Sequence, residues 1–368
     1  MLRLLDKETI IDEGGRYRFL SEQTFCDLTK DSDRCFVCLT APSGETQEHV
    51  IPNWIIKLCD LREQTMRLSN GEKILYPRYK VPCCERCNQA LREAYEDPIS
   101  IAVKGGLESV LKLHETDKTL LLRWLNLLFF KTHYKDLSVR KHLDRRQGES
   151  TIGESYDWGV MELPHALFRS VLFNIQIASP QIGSLVIVKL LNPDWAGLWD
   201  YRDDFKSGTT YVRIGDIVLI GVLNDGGISA HAMKDRFCVE SGGHVAQTLE
   251  MLTDYQVFNR SLKRKADYIK RWIVEQDYTG IRVQLPENID IRPVNHQARH
   301  RLLWSHLEPY GELPMSGGTQ LKTAKEALLA GRLSLALNPK PSSMPKSDQI
   351  LSDLRRAADP TIVYGRKG

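Results

Sequence analysis

Hydrophobic and polar positions along the chain alternate between two periods. In the first half, Leu107, Val110, Leu111 and His114 recur at helical spacing. The run "LLLRWLNLLFF" (120–130) is dense enough for a core helix. It is interrupted by Arg123 and falls short of the ~20 residues that span a bilayer. "CERCNQALREAYED" has helix-forming composition, with Asp97-Pro98 as its stop. Short strands are expected at "RYRFL", "ETQEHVI" and "EKILYPRYKVP", with a loop or helical excursion at "PNWIIKLCDLREQTM" and a turn at "SNG" between the last two.

The second half reads differently. "LPHALFRSVLFNI" patterns as a helix, and "GSLVIVKLL", "TTYVRIG" and "DIVLIGVLND" as three strands. Helices are expected at "GHVAQTLEML", over about 256–276, at "VNHQARHRLLWSHL" and, more weakly, at "TQLKTAKEALLAG". The segment "PKPSSMPKSDQ" has the composition of a flexible linker. The predicted class is α+β. It divides into a lead-in (1–34), a small cysteine module (35–97), a helical segment (98–146), an α+β domain (156–335) and a flexible tail (336–368), with polar "QGESTIGES" (147–155) as the main boundary. No internal repeat is present.

At 368 residues the chain is long enough for two or three domains. Its hydrophobic fraction of 42% and charged fraction of 26% are those of a globular protein. The net charge is only +3, so nucleic-acid binding would rest on local Lys and Arg clusters, not on a global field. "MLRLLDKETI" turns charged after five residues, too soon for a signal-peptide core. With eight cysteines and no secretion signal, metal binding is favoured over disulfides, and a reducing cytoplasmic setting is expected.

Four of those cysteines form two C-x-x-C pairs, Cys35/Cys38 and Cys84/Cys87. Two such knuckles present four thiolates to one Zn²⁺ in a closed tetrahedral shell that leaves no position for water, so this zinc would be structural. Cys83 adjoins the second pair at the wrong spacing, and Cys26, Cys59 and Cys238 read as ordinary thiols.

Between the knuckles lie Glu48 and His49, and Asn88 follows the last cysteine. A carboxylate and an amide oxygen suit a hard cation such as Mg²⁺ or Mn²⁺. An imidazole near its ordinary pKa suits a general base. The pattern "C-x-x-C … EHVIP … C-x-x-C-N" resembles the HNH, or ββα-metal, endonuclease family, in the subgroup closed by four zinc-binding cysteines and with the Asn-terminated motif. The resemblance covers residues 35–96, about a sixth of the chain. It implies that Glu48 and Asn88 hold the catalytic divalent metal and that His49 activates the attacking water. The acid here is Glu where the family's usual acid is Asp, and no residue is assigned to the family's middle asparagine.

The expected activity is metal-dependent hydrolysis of phosphodiester bonds, with DNA as the partner and no membrane association. Arg78, Lys80 and Arg86 in the module are candidate phosphate contacts, as are Lys263, Arg264 and Lys265 on the helix expected over 256–276. "VRKHLDRR" and "HQARHR" are further basic stretches. The C-terminal region would select a target or respond to a small-molecule or protein regulator, in a setting such as phage defence or a mobile element, and double-strand cutting would suit a homodimer. The alternatives are a non-catalytic zinc module that binds nucleic acid and a ligand-gated nuclease effector. "WAGLWDYRDDF" (195–205) reads as a packed loop or a recognition pocket, and "VLNDGG" as a strand-end turn that lacks the features of a P-loop.

Overall fold

The apolar run at Leu120 becomes the 17-residue helix Leu120–Asp136, buried on nearly every side. This is the expected fate of a helix that is hydrophobic all round. The computed structural model describes residues 1–42, 46–191, 198–237, 242–310, 325–326, 347–356 and 360–365. It is a mixed α+β structure that divides into two compact units, Met1–Ala178 with Tyr268–Arg282, and Ser179–Asp267 with Val283–Gly368. The polar segment 147–155 lies within the first unit, and the division falls after Ala178.

In the first unit, a three-stranded antiparallel sheet (Arg3–Leu4, Ile10–Ile11, Tyr17–Phe19) leads into the helix Glu22–Thr29. Ser21 caps that helix by accepting from the Thr24 amide at 3.2 Å. The cysteine module follows. Strand Gln47–His49 pairs antiparallel with Lys80–Pro82. Between them run the helix Asn53–Leu58 and a small hairpin, Thr65–Arg67 with Lys73–Leu75. The strand expected through "EKILYPRYKVP" is broken by a 3₁₀ turn at Tyr76–Arg78, where Pro77 cannot extend the ladder.

After Pro82 the chain enters the helix Glu85–Leu91, which continues through a π-helical turn, Arg92–Glu96, into Asp97–Lys104. Asp97-Pro98 was expected to stop it. Instead the helix runs on, and Pro98 follows closely on the π-helical turn, where the regular α-helical hydrogen-bond ladder is already interrupted. Helix Glu162–Arg169 packs against Leu120–Asp136, and helix Leu107–Thr116 packs against Asp97–Lys104.

The second unit is built on a five-stranded sheet in the order Trp199–Asp204, Thr209–Ile214, Ile217–Val222, Ser184–Lys189, Thr361–Tyr364. All pairings are antiparallel except the last. Alternate positions (Val186, Val188, Val218, Ile220, Val222) pack with Leu249, Leu252, Leu303 and Leu354 from helices Val245–Ser261, His296–Leu307 and Ser347–Arg356. The "VLNDGG" turn is built as read. Asp225 accepts from the Gly227 and Ser229 amides and from Ser184 Oγ, and Gly227 adopts φ 86°. A Cβ on Gly227 would meet Pro360 Cβ at 2.5 Å.

Three expectations are corrected. The helix over 256–276 ends at Ser261, and Asp267–Ile273 is a strand. Tyr268, Ile269, Trp272 and Ile273 are β-favouring residues, and Leu262 leaves helical geometry at ψ 125°. In the segment read as a flexible tail, Ser347–Arg356 is a helix whose Ile350, Leu351 and Leu354 are buried, and Thr361–Tyr364 joins the sheet. The "DYRDD" part of 195–205 is an edge strand, Trp199–Asp204, not a loop. Residues 195–197 and most of "TQLKTAKEALLAG" lie outside the described residues.

Candidate metal centre and adjoining cleft

The first knuckle is a tight turn in which the Leu39 amide donates to the Cys35 carbonyl at 2.8 Å and the Cys35 amide to the Thr40 carbonyl at 3.0 Å. Leu39 takes a left-handed φ of 55° to make it. In the second, Cys84 is the N-cap of helix Glu85–Leu91 and Cys87 lies in its first turn. The four buried Sγ atoms all lie within 4.8 Å of one another, with Cys38 and Cys84 at 3.9 Å. A tetrahedral zinc bonded at ~2.3 Å sets sulfurs ~3.8 Å apart, so this cluster can hold a metal such as zinc. Hydrogen bonding to Cys35 and Cys38 pushes the Cys87 thiol well up, and the contact with Cys38 pushes the Cys35 thiol to about 12. Four sulfurs this close resist ionising together, and a bound cation would offset that cost.

Cys83 is buried, but its thiol donates to the Cys84 carbonyl and stands outside the cluster. Cys26 is half-buried and Cys59 buried, and Cys238 lies outside the described residues.

The first knuckle is held from outside the module. His165, on helix Glu162–Arg169 and fully buried, places Nε2 at 3.1 Å from both the Phe36 and Val37 carbonyls, inside the first knuckle. The ring therefore carries its proton on Nε2. Burial holds its pKa well below the ordinary 6.5. Phe36 packs on Phe130 and Phe168, with centroids 6.4 and 6.1 Å away.

Beside the cluster lies a cleft of about 710 Å³ whose lining includes Glu48, His49, Asn53, Asn88, Arg92 and Glu96. The three residues singled out between and after the knuckles therefore share one cavity. Glu48 stands opposite Val81 in the strand pair, and His49 opposite Lys80. Burial lowers the His49 pKa from 6.5, Lys80 and Lys131 act in the same direction, and Glu48 opposes them.

Asn88, Arg92, Glu96, Ser100 and Lys104 reach the cleft from one continuous helical run. In a pure α-helix, residues four apart drift by ~40° per step. The π-helical turn at Arg92–Glu96 winds less per residue and offsets that drift, so Glu96 returns to the side that carries Asn88.

Two residues were not anticipated: Glu96, which lines the cleft, and Lys131, which stands behind its wall. Lys131, on helix Leu120–Asp136, has a fully buried side chain, with Nζ 2.9 Å from the His49 carbonyl, 3.3 Å from Glu48 Oε1 and 4.0 Å from Glu96 Oε1. Burial pushes the Glu96 carboxyl up to about 7, against the pull of Lys131. Glu96 Oε1 accepts no hydrogen bond among the described residues. The available signal was a single lysine inside "LLFFKTHY", 82 residues beyond His49.

The basic candidates scatter. Arg78 and Arg86 are exposed, and Lys80 is half-buried on its strand. Lys263, Arg264 and Lys265 lie in the connection between Ser261 and Asp267, not on a helix, and Lys265 donates to Asn224 Oδ1. Other cations of the basic stretches are paired with acids: Arg260 with Asp204 at 2.6 Å, Lys270 with Glu162 at 2.8 Å, and Arg299 with Glu250 at 2.9 Å. Among the described residues no helix is long and apolar enough to cross a membrane. No protein-family model, curated protein or solved structure matches the chain.

Proposed function

We propose that the first unit is a metal-dependent phosphodiesterase of the HNH type acting on nucleic acid, with DNA as its substrate. The observation that supports this most is the convergence of Glu48, His49 and Asn88 on one cleft beside a closed four-sulfur cluster. The antiparallel pair Gln47–His49/Lys80–Pro82 followed by helix Glu85–Leu91 is the order a ββα module requires.

The donor set fits a hard cation. It consists of a carboxylate from Glu48 and an amide oxygen from Asn88, with the Glu96 carboxyl on the same wall. Lys131 engages only Oε1 of Glu48, which leaves Oε2 for a second partner. Glu48 and Asn88 would hold Mg²⁺ or Mn²⁺, which supplies Lewis-acid stabilisation of charge at the phosphate. His49, kept neutral by burial, takes the proton from the attacking water. The cysteines hold zinc and do no chemistry. The second unit would select the target or regulate the first.

The ion pair between Lys131 and Glu48 favours a second reading, a module that retains zinc and binds nucleic acid without cutting it. Plasmid nicking in Mg²⁺ or Mn²⁺ separates the two. Wild-type protein is expected to nick, and His49→Ala to lose at least ~10²-fold in rate. Cleavage that persists in His49→Ala removes His49 as the base. DNA binding with no cleavage by either protein supports the second reading.

A further inference from the structure

A lysine is seldom fully buried unless it is paired, because its charge is costly away from water. Lys131 is fully buried and comes from a helix outside the ββα order, yet all three of its polar neighbours line or adjoin the cleft. It does two different things there. By donating to the His49 carbonyl at 2.9 Å it fixes the backbone that carries the imidazole. By standing 3.3 Å from Glu48 Oε1 and 4.0 Å from Glu96 Oε1 it is shared between two carboxylates. The closer contact is to the carboxylate that the proposed function assigns to the metal. Glu96 gives the ammonium somewhere else to go, and the π-helical turn is what brings that carboxylate into range.

We propose that Lys131 is a positioning residue of the cleft, an internal counter-cation that holds Glu48 and the His49 backbone in place and sets the affinity for divalent metal through its division between Glu48 and Glu96. This rests on the metal-dependent reading above. The charge pattern makes a prediction that a merely structural lysine does not. With Lys131 in place, its ammonium offsets the Glu48 carboxylate from 3.3 Å, beside a Glu96 carboxyl that burial keeps partly protonated. Without it the Glu48 carboxylate loses its nearest counter-charge, in a partly buried site where charges interact far more strongly than in water. Metal affinity should therefore rise as positioning is lost.

The test is Mn²⁺ binding, followed by the electron paramagnetic resonance signal of free Mn²⁺, on the full-length zinc-loaded chain, alongside plasmid nicking. In Lys131→Met, Mn²⁺ is expected to bind about tenfold tighter because an opposing charge within ~4 Å is gone. Nicking is expected to fall about 10²-fold as the acid and the histidine lose their anchor. In Glu96→Gln, which keeps the side-chain shape, Lys131 is left to Glu48 alone, and Mn²⁺ is expected to bind about three- to tenfold more weakly. Opposite shifts in the two variants support the proposal.

Weaker metal binding and slower nicking together in a folded Lys131→Met would overturn it in favour of a purely structural lysine. If Lys131→Met does not fold, Glu96→Gln decides alone, and an unchanged Mn²⁺ affinity there overturns the proposal. Wild-type protein that neither binds Mn²⁺ nor nicks brings down the functional reading and this inference with it. Wild-type protein that does both, with no shift in either variant, brings down this inference only.

Discussion

His165 Nε2 lies 3.1 Å from the Phe36 carbonyl, across 129 residues of sequence, and so ties helix Glu162–Arg169 to the turn between Cys35 and Cys38. It lies equally close to Val37, so one imidazole N–H serves two buried carbonyls. His165→Ala removes that donor and leaves a cavity among Phe25, Phe130 and Phe168, whose rings all lie within 5.5 Å of the imidazole. The expected cost is about 3 kcal/mol of stability, from cavity and unsatisfied carbonyls together. Zinc should also pass to a chelator faster. Denaturant titration and a colorimetric chelator measure the two effects. His165→Phe, which restores the ring without the donor, should recover stability in part but not zinc retention.

The four-sulfur cluster predicts about one equivalent of zinc per folded chain. Cys87→Ser, or chelation of the wild type, should raise amide exchange in Cys35–Thr40 and Glu85–Leu91 by orders of magnitude, because the metal is part of what folds the module. The strand Ile217–Val222 should hold its protection. Folded wild-type protein carrying less than about half an equivalent would rule the site out.

Burial lowers the His49 pKa, so its neutral form persists below the ordinary 6.5. A base must be unprotonated to act, so activity should hold as pH drops to 6.5 and decline only below it. The pH profile of kcat/KM for nicking checks the position of that acidic limb. A limb centred above 7 would contradict the assignment.

His306 gives a stability prediction for the second unit. It is buried, with Nε2 2.9 Å from Gln256 Oε1, and burial lowers its pKa from 6.5 to about 4, with Arg202 acting in the same direction. The unfolded chain takes up a proton as pH falls through 6.5, while the folded chain does not until about 4. The contribution is therefore complete above pH 6.5 and lost progressively between there and pH 4. It amounts to about 3 kcal/mol. Thermal melts of wild type and His306→Gln should differ in their slope against pH over that interval and run parallel above pH 7.

Much of this was legible in advance, for reasons that differ by element. Val186, Val188, Val218 and Ile220 lie in apolar runs bounded by turn residues, and such runs report strands directly. The two cysteine pairs were legible because spacing alone sets what a knuckle can bind. The region 256–276 misled because its lysines and arginines suit an exposed helix, while Tyr268, Ile269 and Trp272 suit a strand and prevailed once Tyr278–Gln284 was available as a neighbour in the sheet. The acidic partners of the basic stretches are remote in sequence, as with Arg260 and Asp204 or Arg299 and Glu250, so these pairings were not legible. Lys131 and Glu96 were hidden for a different reason. Their role depends on one helix lying against another, and no local pattern records that.

Phe36 is covered by Phe130, Tyr134 and Phe168, and its own carbonyl waits for His165. During synthesis both cysteine pairs therefore emerge well before the surface they must pack against. The four cysteines are complete early, but the aromatic face beside them stays bare until helix Glu162–Arg169 has left the ribosome. A gene fragment ending near residue 97 would leave Phe36 without Phe130, Tyr134 and Phe168, so any transplant of this module has to carry its later helices with it.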